Sequence, residues 1–526
     1  VRGVVDSKFD VIVLGAGFGG SILASILARQ GVSVLVLDAK SHPRFSIGES
    51  TIPQTSQLLT LLGRTYDVPE LNDLGLGSPK GLRKQIGNSC GIKRTFGFCY
   101  HELGKEHDPD QALQFGNVWR DENHLFRQDV DAFLARTAVS YGATMMQDTP
   151  TASIDIREEE GVTVTTQKGQ QFTAQFVVDG SGRSSVLADR FALREDPPRF
   201  LHHSRSLFTH MIDVAPFEEV VENKRSIPWS KSTLHHVFER GWIWVIPFNN
   251  FEESTNPLVS VGLTIDPRTY PKSDIPPEQE FEDFLKLLPS AARQFADAKP
   301  VRPWVSTGRI QYSSRVHAGP RFCLMSHAAG FIDPLFSRGL VNTVEVVAAL
   351  ADDLISAAET GDYSQERFDH INDLQISTLD YADRLVNGSF ISWSNFEVWN
   401  AWLRLWVVGT GVAESNLGGH LLMGRHSKRP MTENPIFSPF EDPGYRPVFE
   451  KAEAIILAFE LGRYSAEQAS RELWEILTAY DFRMPLRAEL SGQEWAVMNR
   501  TSRDLQMGTK QLHERWSRRQ ADPGLA

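Results

Sequence analysis

The chain has 526 residues, 41% of them hydrophobic, which is ample for a sizeable core in more than one domain or one large composite domain. Its formal net charge is −12 and no segment concentrates basic residues, so a nucleic-acid partner is excluded. Cys90, Cys99 and Cys323 have neither C-x-x-C nor metal-ligand spacing, the first residues lack a signal-peptide core, and no apolar run is long enough to span a bilayer. A cytoplasmic protein with no metal and no membrane partner is therefore expected.

Residues 9–14 form an apolar run of strand length, suited to a parallel strand buried on both faces. Gly15, Ala16, Gly17, Gly19 and Gly20 follow in a G-x-G-x-x-G pattern. A helical period covers 21–30, Gly31 fits the helix end, and 32–37 reads as a second strand closed by Asp38. Gly15 permits the tight turn, Gly17 lets a pyrophosphate approach the backbone, and Gly20 lets helix and strand pack closely. Phosphates then meet the helix N-terminus, and Asp38 can accept hydrogen bonds from a ribose. The motif alone could be a tight structural turn. Strand, turn, helix, strand and acid in that order point to dinucleotide binding.

Further on, residues 42–50 carry Arg44, Glu49 and Ser50, and Lys93 lies among apolar and small residues. Arg127 precedes a helical stretch at 130–139, where an exposed helix-end charge is the plain alternative. Residues 176–182 read as a buried strand entering a glycine turn. From 196 to 300 strand-like runs succeed one another (206–213, 234–239, 242–247 and 258–265), followed by a helix over 278–295. The run at 241–247 places Trp242 and Trp244 on one face and Ile243 and Val245 on the other, and Pro247 ends its ladder. A strand at 321–325 leads through Phe336, Arg338, Gly339 and Leu340 into a helix over 341–359, whose N-terminus makes a natural anion site.

The dinucleotide fingerprint combined with W-x-W-x-I-P resembles the flavin-dependent halogenases, and most the phenol (phloroglucinol-type) halogenases, over residues 9 to about 425. The resemblance implies an α/β fold: a Rossmann-like FAD domain of the hydroxybenzoate-hydroxylase type at 1–195 and 301–379, an antiparallel-sheet substrate domain at 196–300, and a helical region at 380–526. It implies that Arg44, Glu49, Ser50, Arg127 and Leu340 lie along FAD, and that the amides of Arg338 and Gly339 hold chloride or bromide. Trp242, Trp244 and Phe336 would separate flavin from substrate, and Lys93 would carry hypohalous acid to the arene. A desolvated lysine has a lowered pKa, which suits either hydrogen bonding to hypohalous acid or halogenation as a free amine. Oxygen would be the co-substrate. With one fingerprint and no second nucleotide site, a separate NAD(P)H-dependent reductase would supply FADH2.

Two positions depart from the family pattern. Ser326-His327 stands where Gly-Asp is usual, and Phe336 replaces the glutamate of tryptophan halogenases, which points to a self-activating, electron-rich substrate, a phenol or a pyrrole, free or carrier-bound. Trp399, Trp402 and Trp406 share a helix face and serve either as core or as pocket wall. Residues 425–445 read as a Pro-rich linker and 450–519 as two or three closing helices. The rival readings are an FAD-dependent aromatic hydroxylase, which needs substrate access to the flavin, and a non-catalytic flavin redox sensor, which needs no Lys93.

Overall fold

In the computed structural model the run at 9–14 is the strand Lys8–Leu14, flanked in parallel by Val34–Leu37 and Gln171–Asp179 and buried on both faces, Val11 and Val13 in one core and Ile12 and Leu14 in another. Residues 8–75, 79–116, 121–225, 227–423 and 438–480 are described. Phe322–Leu324 joins Gln171–Asp179, and Thr144–Met146 joins Val34–Leu37, giving the parallel heart of a mixed sheet. Helix Phe18–Arg29 leaves the glycine turn and packs on helix Arg338–Thr360, which returns from far along the chain. A side chain at Gly19 would stand 2.4 Å from Thr343 Cγ2, so that glycine is what lets the two helices close.

The second sheet runs Lys299–Pro300, Arg205–Ile212, Val259–Ile265, Gly241–Pro247, Ser232–Phe238, Thr95–His101, Ala112–Gly116. Two of its strands, Thr95–His101 and Ala112–Gly116, come from before residue 196, because Thr95–His101 pairs in parallel with Ser232–Phe238. Trp242, Trp244 and Ile246 face the core shared with the dinucleotide-binding helices. Ile243 and Val245 face a separate core with Phe281 and Phe284. The helix expected at 278–295 is two helices, Pro277–Lys286 and Pro289–Gln294, since Pro289 cannot donate a helical hydrogen bond. The helix expected at 341–359 begins three residues earlier, at Arg338, which puts the Arg338 and Gly339 amides in its first turn.

Helices Gln365–Ser392, Phe396–Met423, Tyr445–Glu460 and Ala466–Ala479 close the structure. The linker expected at 425–445 lies outside the described residues up to 437; beyond that a short turn, Pro439–Glu441, leads directly into the helix at Tyr445. Of the helices expected at 450–519, two are present, and 481–519 lies outside the described residues. Among the described residues no helix is long and apolar enough to cross a membrane.

Candidate active site

The glycine turn is built as its spacing requires. Gly15 has φ +95°, and a side chain there would stand 2.7 Å from Gly180 O; one at Gly20 would lie 2.1 Å from Gly15 O. At Gly17 a side chain would meet only Arg44 Nη2, at 3.8 Å, so the backbone is bare where a phosphate would approach. Asp38 braces this turn: it accepts from Ala16 N at 2.7 Å, from Lys40 N at 2.8 Å and from Arg44 Nη2 at 2.8 Å.

Arg127 spends its donors on protein groups. It pairs with Asp131 at 2.8 and 2.9 Å, and donates to Ile47 O at 2.8 Å and Gly48 O at 3.1 Å, clamping the 42–50 loop against the helix it begins. Glu49 accepts from Gly48 N at 2.8 Å and lies 3.6 Å from His210.

Between the two sheets lies a cavity of about 370 Å³, lined by Glu49, Ser50, Arg127, Trp242, Trp244, Arg338, Gly339 and Leu340 among others. Ser337, with φ 53°, caps the helix whose first turn opens onto it. Partial positive charge at such a terminus favours an anion. At the departure from the family's Gly-Asp, Ser326 receives the Thr343 hydroxyl at 3.1 Å, and the His327 imidazole lies so near Gly339 that a side chain there would stand 3.0 Å from Nε2.

Lys93 is fully buried, and it is not on the cavity wall. Its amine donates to Ser50 Oγ and Thr51 O, both at 2.8 Å, and stands 3.4 Å from the centre of the Phe96 ring. Burial holds it well below the ordinary lysine range, outweighing the attraction of Glu122, its cross-strand partner. Ser50 connects Lys93 to the cavity: it reaches Ser337 Oγ at 3.0 Å and Thr233 Oγ1 at 2.8 Å, and Thr233 meets His124 Nε2 at 2.9 Å.

Trp242 and Trp244 stand with ring centres 5.7 Å apart. Gly262, opposite Trp244 in register, makes room for the indole; a side chain there would lie 2.1 Å from the ring. His235 packs at a tilt against Trp242 at 5.2 Å and stacks on Phe98 at 4.5 Å. Phe336 is not on the cavity wall. It stacks on Trp406 at 5.0 Å, and Trp406 meets Phe96 edge-on at 4.8 Å, so Phe336 belongs to the aromatic cluster around Lys93. The tryptophan stripe divides: Trp399 and Trp406 join this cluster, while Trp402 donates to Leu385 O at 3.2 Å and packs on Gly388 of the next helix.

The family model described as tryptophan halogenase matches residues 10–67 and 122–390. The chain is a flavin-dependent halogenase. It is 43% identical to the monodechloroaminopyrrolnitrin halogenase PrnC of Pseudomonas fluorescens, over 91% of this chain and 86% of that one. To the tetracycline 7-halogenase of Kitasatospora aureofaciens it is 39% identical, over 91% and 88%. The crystal structure of halogenase PltM in complex with phloroglucinol and FAD superposes with a TM-score of 0.86 at 33% identity, covering 90% of this chain and 96% of that one.

The halogenase's cavity fits FAD on its own evidence. The bare Gly17 backbone is the N-cap of helix Phe18–Arg29 beside Arg44, whose Nε is a buried donor with no protein partner, and on the cavity wall Trp242 Nε1 is another. Sequence reasoning missed Thr233, His124 and His235, which carry the connection between cavity and lysine. The one available signal was that Thr233 and His235 share a strand face beside the W-x-W strand.

The buried histidines make the halogenase acid-sensitive. Burial pushes His124 and His235 down to about 3, helped by the nearby Lys93, and His236 and His327 down to about 4. An unfolded histidine titrates near ~6.5. Between there and the folded values the unfolded chain binds more protons, so stability is full above that range and falls on acidification. Each group contributes about 1.4 kcal/mol per pH unit. The urea midpoint should drop clearly between pH 7 and 5; an unchanged midpoint would show these rings to be hydrated.

Proposed function

We propose that this halogenase uses FADH2, oxygen and chloride or bromide to halogenate an electron-rich aromatic, foremost a phenol, by way of hypohalous acid and Lys93. The observation that carries this reading is the position of Lys93: fully buried, off the cavity wall, and hydrogen-bonded to Ser50, which lines the cavity. Bound FAD supplies the chemistry that lets oxygen oxidise the halide. Gly15 to Gly20, Arg44 and Asp38 would hold it, and Leu340 would meet its ring. The first-turn amides of Arg338 and Gly339 would hold the halide beside the cavity.

Trp242 and Trp244 keep the arene out of the flavin cavity, so the oxidant meets halide and not carbon. That separates this reading from an aromatic hydroxylase. Hypohalous acid passes Ser50 to the Lys93 amine, which orients its halogen towards an arene bound beside the cluster of Phe96, Phe336 and Trp406. The arene's carbon–halogen bond forms as hypohalous acid gives up hydroxide, and the ring then loses a proton to restore aromaticity. A phloroglucinol complex of a 33% identical neighbour supports a polyhydroxylated ring as the substrate class. One turnover with reduced FAD, run with and without bromide and read by product mass, tests the reading; a hydroxylated product in either case would overturn it.

Two further outcomes are expected. Gly262→Ala drives a methyl into the Trp244 indole, breaches the wall and lowers halogenated product per peroxide released severalfold, while FAD binding persists. With NADPH and FAD but no reductase, turnover stays at background, and adding any flavin reductase restores it. Full activity on NADPH alone would mean a nicotinamide site within the chain.

A further inference from the structure

Behind the Arg338 turn, helix Arg338–Thr360 faces helix Gln365–Ser392 across a set of polar side chains. Asn342 Oδ1, both Glu345 carboxyl oxygens, Gln375 Oε1 and Thr378 Oγ1 are buried without a hydrogen-bond partner. They enclose a void of about 10 Å³ that adjoins the flavin cavity and shares Ser326, Asn342 and Leu379 with it. Gln375 is held with its Nε2 on Leu324 O at 2.9 Å, so its oxygen is the end left to the void. The set is therefore almost all acceptor, with the Thr378 hydroxyl as its one versatile member. Opposed lone pairs repel, and each unsatisfied buried group is a cost to the fold.

A halide cannot relieve this arrangement, because it would meet the same lone pairs. What relieves it is hydrogen to donate. A void of ~10–15 Å³ with several polar partners is the size and character that holds one water. The nearest cation, Arg338 Nη2, lies 3.9 Å from Glu345 Oε1, beyond hydrogen-bond reach, and Arg338 Nε and Nη2 have no other partner. We infer that the void holds a water molecule and that Glu345 carries a proton there, so that Arg338 keeps an uncompensated positive charge at the turn. Glu345 is thus a positioning residue for charge: neutral itself, it leaves the guanidinium to favour an anion.

The surroundings agree. Burial raises the Glu345 carboxyl despite Arg338, and burial, with the repulsion an ionised Glu345 would exert, raises Glu441 to about 7, so the two carboxyls resist being ionised together. Tyr381 and Tyr445, which also feel Arg338, are held above the ordinary phenol range by burial and stay neutral.

The service to an anion rests on the halide reading above; the protonation of Glu345 does not. Infrared difference spectra of the full chain, wild type minus Glu345→Gln, should contain a protonated-carboxyl C=O band that the variant loses. Ionised-carboxylate bands in its place would overturn the inference and mean an Arg338–Glu345 ion pair. If Glu345→Gln does not fold, Thr378→Val serves: removing the water's hydroxyl partner should shift the same C=O band, and an unmoved band overturns the water site. Anomalous scattering from bromide-soaked crystals tests the other reading separately. A protonated Glu345 with no bromide at Arg338–Gly339 would sink the halide site alone, and an ionised Glu345 with bromide bound would sink this inference alone.

Discussion

Lys93→Met will consume oxygen with reduced FAD and release hydrogen peroxide, yet its halogenation rate will fall by about 10²–10⁴-fold, the range a positioned acid–base group supplies. Two features make the substitution clean. Methionine is close to the lysine stem in volume, so the Phe96 and Ser50 contacts are not replaced by a cavity. Glu122, the buried carboxylate across the strand pair, keeps the Thr51 and Ser56 hydroxyls, at 2.8 and 2.5 Å. The removed amine is one that burial already holds below the lysine range, so folding loses little with it. FAD binding should be unchanged, because Lys93 is not on the cavity wall. Product formation at the wild-type rate would refute the role of Lys93; loss of FAD together with activity would instead mean that the strand Gly91–Lys93 supports the cofactor half.

What was legible in the sequence follows physical periodicity. The glycine turn, its flanking strands and the alternation of the W-x-W strand were readable because each rests on a local pattern of period two or 3.6. Helix ends were less so: Arg338 begins its helix because Ser337 adopts a left-handed conformation, which no residue type there announces. The membership of Thr95–His101 in the second sheet was hidden, since a parallel pairing with Ser232–Phe238 spans more than a hundred residues of chain. Ser50 could be placed near FAD from its motif, but its simultaneous contact with Lys93, Thr233 and Ser337 is a product of three distant segments meeting. The same holds for Arg127, whose donors are taken up by Asp131 and the loop carbonyls once the fold closes.

Substrate preference should rank resorcinol- and phloroglucinol-type rings first, simple phenols next and free tryptophan last, and Phe336 is the reason. Electrophilic halogenation passes through a cationic ring. Indole has only its N–H to relieve that charge, so a carboxylate beside it helps; a phenol relieves it internally by losing its O–H proton as the carbon–halogen bond forms. Further hydroxyls push more density onto the same carbons, and each 1.4 kcal/mol of barrier is worth about tenfold in rate. Phe336 lies flat against Trp406, with Phe96 at the indole's edge, so on the reading proposed above the arene would meet apolar side chains where the family's tryptophan enzymes carry an acid. Phe336→Glu will not convert the preference cheaply. At 2% exposure among aromatic rings the new carboxylate would be buried without a partner, which costs several kcal/mol or forces protonation. The variant should therefore lose stability, by several degrees in Tm, without gaining tryptophan turnover. Equal concentrations of phloroglucinol, phenol and tryptophan in one reaction, read by mass spectrometry, decide the ranking. Tryptophan halogenated as fast as the polyphenol would mean that another carboxylate reaches the arene, and Glu122, the acid paired with Lys93 across the strands, would be the group to test next.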